Sequence, residues 1–181
     1  MLEAVLRDDP DNVAAHETMG LLRYRDGDIA GAKKWYGEAV ELDPHSYLAA
    51  YHYAVMMSRD GNKDEDEAIE SSLRASIGLN PEFAPAYDAL AMFYASRHQR
   101  LDEAHTLNVR AVELEPARLG YRLDCADVLT EKRQYAEALD ALRDAMKVAR
   151  TRDEFASVER RMERLEKVQT ALAVAFNRVG N

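Results

Sequence analysis

Between Ser58 and Glu70 the chain reads SRDGNKDEDEAIE, with Asp60, Asn62, Asp64 and Asp66 at every second position. Oxygen ligands in that alternation are how a calcium loop is written: D-x-[DN]-x-[DN]-G, closed by a bidentate glutamate at the twelfth place. Counted from Asp60, the sixth place is Glu65 and the twelfth is Ser71. The turn glycine and the closing ligand are both missing, so no metal site is expected here. The five histidines, His16, His45, His52, His98 and His105, contain no i,i+4 pair, and His98 and His105 straddle an expected turn. The single cysteine, Cys125, excludes an internal disulfide and reads as a buried structural thiol rather than a nucleophile. The chain has no G-x-G-x-x-G, P-loop, G-x-S-x-G or H-E-x-x-H run. It reads as non-catalytic, with no catalytic residue, no metal ligand set and no cofactor.

The elements that carry these residues repeat. Pro10, Pro44, Pro81 and Pro116 lie 34, 37 and 35 residues apart, each after an acidic or amide residue. Gly20, Ala54, Ala91 and Ala126 keep the same irregular spacing. Two independent series with one period define a repeating unit. In the stretch from Val13 to Pro44, Met19, Leu22 and Tyr24 and then Ile29, Ala32, Tyr36, Ala39 and Val40 keep a 3–4 apolar spacing. Each half is therefore an amphipathic helix. Gly27 supplies the turn between the halves, and proline ends the second helix because it cannot continue it. The acidic stretch has a place in this scheme. Ala54 to Ile69 spans 15 residues where Gly20 to Ala32 spans 12, so the turn at 60–66 is expanded. Such a lengthening costs only about 0.4 kcal/mol of closure entropy. Its carboxylates fall at the start of the next helix, where the dipole favours them.

These units resemble the tetratricopeptide repeat family, and more loosely its bacterial multi-repeat members, with pattern W-x2-L-G-x2-Y…A-x3-F…P. The slots are filled by His16, Met19, Gly20, Arg23, Ala32, Tyr36 and Pro44, then by Ala50, Tyr53, Ala54, Met57, Ile69, Leu73 and Pro81. The third unit places Tyr87, Leu90, Ala91, Tyr94, Ala104, Asn108 and Pro116 there, and the fourth Arg122, Cys125, Ala126, Leu129, Ala138, Leu142 and Arg150. The resemblance implies an all-α fold, a right-handed α-solenoid of helix–turn–helix repeats with a long C-terminal capping helix. The expected divisions are 1–11 (second helix of a truncated preceding repeat), 12–46, 47–83, 84–118 and 119–150 (repeats 1 to 4) and 151–181 (capping helix). The resemblance also implies a concave groove lined by the first helix of each unit. Carried over, its lining is Leu21, Tyr24, Arg25, Leu48, Tyr51, His52, Val55, Asp88, Met92, Asp124 and Asp127. Relatives that bind acidic chaperone tails use a cationic clamp on these faces. Here the corresponding slots hold Glu17, Leu21, His52, Pro85 and Ala89, so an acidic tail is not the expected partner.

At both ends the period breaks. Residues 1–10 read as the second helix of an incomplete unit, as in an excerpt from a longer protein. From Thr151 onward Phe155, Val158, Met162, Leu165, Leu172, Phe176 and Val179 form one long amphipathic stripe. Its first half is expected to cover the fourth unit, because repeat arrays need a terminal cap. Leu172, Phe176 and Val179 are surplus, available to a second copy or another domain. With a net charge of −9, nucleic acid and anionic membrane are poor partners. No signal peptide or membrane-spanning run is visible in the chain. Three functions remain: a scaffold that holds an apolar or basic protein segment in the groove, an accessory region of a larger enzyme or regulator, or a dimerisation module using the last helix.

Overall fold

The computed structural model describes residues 2–179, with side chains described at residue 2 and from 4 to 175. Among the described residues there are ten α-helices and no strand. They are α1 (Leu2–Asp8), α2 (Val13–Arg25), α3 (Ile29–Leu42), α4 (Tyr47–Asp60), α5 (Asp66–Leu79), α6 (Ala84–Ser96), α7 (Leu101–Leu114), α8 (Leu119–Glu131), α9 (Tyr135–Met146) and α10 (Arg152–Val179). The chain divides into two compact units, residues 1–93 and 94–181.

Local chemistry sets the helix starts. The side chains of Asn12, Asp28 and Ser46 accept hydrogen bonds from the backbone N–H groups of Ala15, Gly31 and Ala49, at 2.9, 2.8 and 3.1 Å. Each satisfies one of the donors that a helix leaves orphaned at its first turn. Between α2 and α3 the chain turns at Gly27, whose φ of 81° lies in the left-handed region. α10 opens with a reciprocal cap. Thr151 Oγ1 accepts from the Glu154 N–H at 3.2 Å, and Glu154 Oε2 accepts from the N–H groups of Thr151 and Arg150 at 3.0 and 2.7 Å. The sequence TRDE is a capping box, and these backbone donors hold the Glu154 carboxyl below the usual carboxylate range.

In the first unit α2 packs on α3, α3 on α4 and α4 on α5. The small residues sit where these helices meet. Ala32, Ala39 and Ala54 have no exposed surface, and a Cβ added at Gly20 would stand 2.9 Å from the Tyr36 ring. Tyr36 and Met56 join Ala32 in the core, with Tyr24, Ile29, Tyr53 and Val55 packed around them. In the second unit α7 packs on α8, α8 on α9 and α9 on α10. Cys125, Ala126, Leu129, Ala138, Leu142, Val158 and Leu165 form one cluster there. Val158 and Leu165 come from α10, so the first half of that helix caps the α8–α9 pair.

The turn at 60–66 holds a cation of the chain's own. Gly61 caps α4 at φ 73°, Asn62 caps a short 3-10 turn (Lys63–Glu65), and α5 begins at Asp66. Lys33 Nζ, from α3, donates to Asp60 at 3.0 Å and to Glu65 at 2.5 Å. The Glu65 carboxylate, with Asp60, raises the Lys33 ammonium above its usual pKa. Asp60, the first residue of the calcium-like alternation, and the adjoining Glu65 thus neutralise a lysine. Asp64 and Asp66 point elsewhere in the scheme: Asp64 follows the cap and Asp66 lies in the first turn of α5.

Candidate functional site

In the first unit, Leu21, Leu48 and His52 share one hollow of about 190 Å³ with Glu17, Thr18 and Tyr36. Their positions follow from helix geometry. Glu17, Thr18 and Leu21 lie within one turn of α2, and Leu48 and His52 are an i,i+4 pair on α4. Tyr36 reaches in from α3 because Gly20 leaves room beside its ring. The rings are ordered. Tyr36 stacks on His52 at 4.8 Å and 19°, and Tyr51 meets His52 edge-on at 5.0 Å. Phe83 stands edge-on to Tyr51 at 5.1 Å and to Tyr47 at 5.0 Å.

Electrostatically the hollow is acidic. Burial lowers the His52 pKa, so its imidazole is neutral near pH 7, and burial pushes the Tyr36 phenol up to about 12. The Glu17 carboxylate opposes the first shift and reinforces the second. Glu17 accepts from Ser46 Oγ at 2.6 Å. Among the described residues no lysine or arginine pairs with it. In the sequence Glu17 stands only at a slot where a cationic clamp would lie, and Tyr36 at an apolar repeat slot. The signal for Tyr36 was the pairing of Gly20 with a tyrosine 16 residues later.

Tyr51 borders this hollow through His52, and the other candidates of the first unit do not line it. Tyr24 carries the Arg59 guanidinium over its ring at 5.2 Å. Tyr24 and Val55 both pack against the core, so much of their apolar surface is spent on stability. Arg25 is exposed, while Asp88 and Met92 are half-buried. Leu21 is the most open apolar side chain among them, at 46% exposure.

Comparison with known proteins matches this architecture. No family model matches the chain. Small glutamine-rich tetratricopeptide repeat-containing protein 2 of Mycosarcoma maydis is 34% identical over 92 residues, which is 50% of this chain and 24% of that protein. The crystal structure of MamA superposes with a TM-score of 0.71 at 24% identity, over 81% of this chain and 78% of that one. The first TPR of Spaghetti (RPAP3), bound to the HSP90 peptide SRMEEVD, superposes with a TM-score of 0.60 at 18% identity, over 67% of this chain and 95% of that one. The fold is that of tetratricopeptide-repeat proteins. The chain spans about a quarter of the length of the curated relative it matches.

In the second unit, Asp124 is half-buried on α8 and Asp127 faces α10. Arg161 Nε approaches Asp127 Oδ1 at 3.5 Å, so the capping helix engages one of the acidic side chains expected to line a groove. On α10, Leu172 is 51% exposed. Phe176 and Val179 lie outside the described side chains. Cys125 is buried, and among the described residues no group of three or more His, Cys, Asp or Glu side chains is placed to hold a metal ion. No helix of the described residues is long and apolar enough to cross a membrane.

Proposed function

We propose that the chain is a protein-interaction module that receives a segment of a partner protein on the α2–α4 face, with Leu21, Leu48 and His52 as contacts. One observation carries this reading: a preformed hollow in which the exposed Leu21 and the half-buried Leu48 converge with a half-buried carboxylate. Binding sites are mostly apolar concavities with a few placed polar groups, which is the composition here. The peptide held by the RPAP3 repeat supports peptide capture as a use of this fold. That peptide is acidic, whereas the hollow carries Glu17 and no cationic clamp, so the partner segment is apolar and neutral or basic. Tyr24, Arg25, Tyr51, Val55, Asp88 and Met92 are further candidate contacts of the first unit, and Asp124 and Asp127 are separate candidates on the second. The test uses Leu21→Glu, because Leu21 is open and its replacement leaves the core intact. Affinity capture with the wild-type chain is expected to recover a partner that Leu21→Glu loses. Equal recovery by both would remove this face as the binding site.

A second reading is favoured by one feature. The exposed Leu172, with Val174 at 47% exposure, leaves apolar surface on the distal half of α10. Self-association through that stretch is the alternative use of the chain.

A further inference from the structure

We infer that the hollow between α2, α3 and α4 is a subsite for the cationic side chain of a lysine or arginine in the partner segment. The inference rests on the proposed use of the α2–α4 face and names what that face selects. Three observations converge on a cation. Glu17 is half-buried, and among the described residues its one side-chain hydrogen-bond donor is the neutral hydroxyl of Ser46. A carboxylate withdrawn from water is stabilised by a cation brought within hydrogen-bond reach. Second, Tyr36 lines the hollow, and its hydroxyl makes no hydrogen bond among the described residues and is not a buried atom. A phenol oxygen left open in this way accepts from a guanidinium or ammonium as readily as from water. Third, His52 offers no competing charge, because burial keeps it neutral.

The walls suit the rest of a basic side chain. Leu21 and Leu48 flank the hollow, and long cationic side chains lay their methylene stems along such surface while the head seeks polar partners. The volume of about 190 Å³ equals about six waters. That admits one long side chain and excludes a folded element.

The test is an NMR titration of the isotope-labelled full chain with three blocked pentapeptides, identical except for arginine, lysine or neutral citrulline between two leucines. The arginine and lysine peptides are expected to shift the amides of Glu17, Leu21, Leu48 and His52. Citrulline should bind about fivefold more weakly, and Glu17→Gln should weaken the cationic peptides to the citrulline level. The citrulline comparison uses the wild-type chain and so holds whatever Glu17→Gln does to folding. Equal binding of arginine and citrulline at these residues would overturn the cation subsite and leave the binding face standing. Failure of all three peptides to shift these residues would overturn both.

Discussion

The joint around α4 in the first unit and the joint around α8 in the second occupy the same place in the repeat and are lined in opposite ways. On α4 the slot holds Tyr53, and its neighbour on α3 is Gly37, where an added Cβ would stand 3.1 Å from the Tyr53 ring. On α8 the slot holds Cys125, and its neighbour on α7 is Val109, 39% exposed. Around Cys125 there remains a hollow of about 340 Å³, walled by Val109, Val112, Pro116 and Ala141. The joint around Tyr53 is instead lined by ionic side chains, among them Lys33, Lys34, Glu38 and Asp60. Both joints leave a hollow, about 500 Å³ beside Tyr53 and about 340 Å³ beside Cys125, and they differ in lining, charged at the first and largely apolar at the second. The repeat pattern tolerates both because it specifies the crossing residues, Ala54 and Ala126, and not their flanks.

Substitutions can break this contrast. Gly37→Leu should destabilise by about 1–2 kcal/mol through overpacking against Tyr53. Cutting Tyr53 to Ala in the same chain should recover part of that loss, which a double-mutant cycle in urea would measure. Additive losses would mean that the two residues do not share the joint. In the second unit the expected sign reverses: Cys125→Leu fills the hollow and should stabilise by about 1 kcal/mol. A lower melting temperature for Cys125→Leu would show the hollow too shallow for the side chain.

The turns repeat the contrast at smaller scale. Where Gly27 adopts φ 81°, the corresponding residue between α8 and α9 is Arg133 at φ 61°. A left-handed conformation strains a residue that carries a Cβ and does not strain glycine. Arg133→Gly is therefore expected to stabilise by about 0.5–1 kcal/mol, read as a rise in the urea midpoint.

The smallest effect concerns acid. Burial lowers the pKa of His52 in the first unit and of His105 in the second from the usual 6.5. With folded values below unfolded ones, the unfolded chain binds more protons in that window. Stability is then full above about pH 6.5 and declines as pH falls toward the lowered values. His52→Gln and His105→Gln should each flatten the loss of stability between pH 7.5 and 5. An unchanged pH profile in both variants would assign acid sensitivity to other groups.

Much of this architecture was legible in the sequence. The 34, 37 and 35 spacing, the small crossing residues and the proline stops are local or periodic features. They mark the helices because helix period and turn chemistry act within a few residues. The face was less legible. Tyr24 and Val55 look like contact residues on a helical wheel, yet they pack on the core cluster. The long helix after Thr151 was readable as a cap from its apolar stripe, but its link to Asp127 through Arg161 was not.

By itself, then, the sequence determined the repeat, the expanded turn and the candidate lining residues. Tertiary structure alone decided which charges are answered. Asp60 and Glu65 meet Lys33 across 27 and 32 residues, Asp127 meets Arg161 across 34, and Glu17 meets no cation among the described residues. Periodicity fixes which face of a helix a residue occupies, but the charge opposite that face arrives from a neighbouring helix. Only the packing of those helices sets the distance.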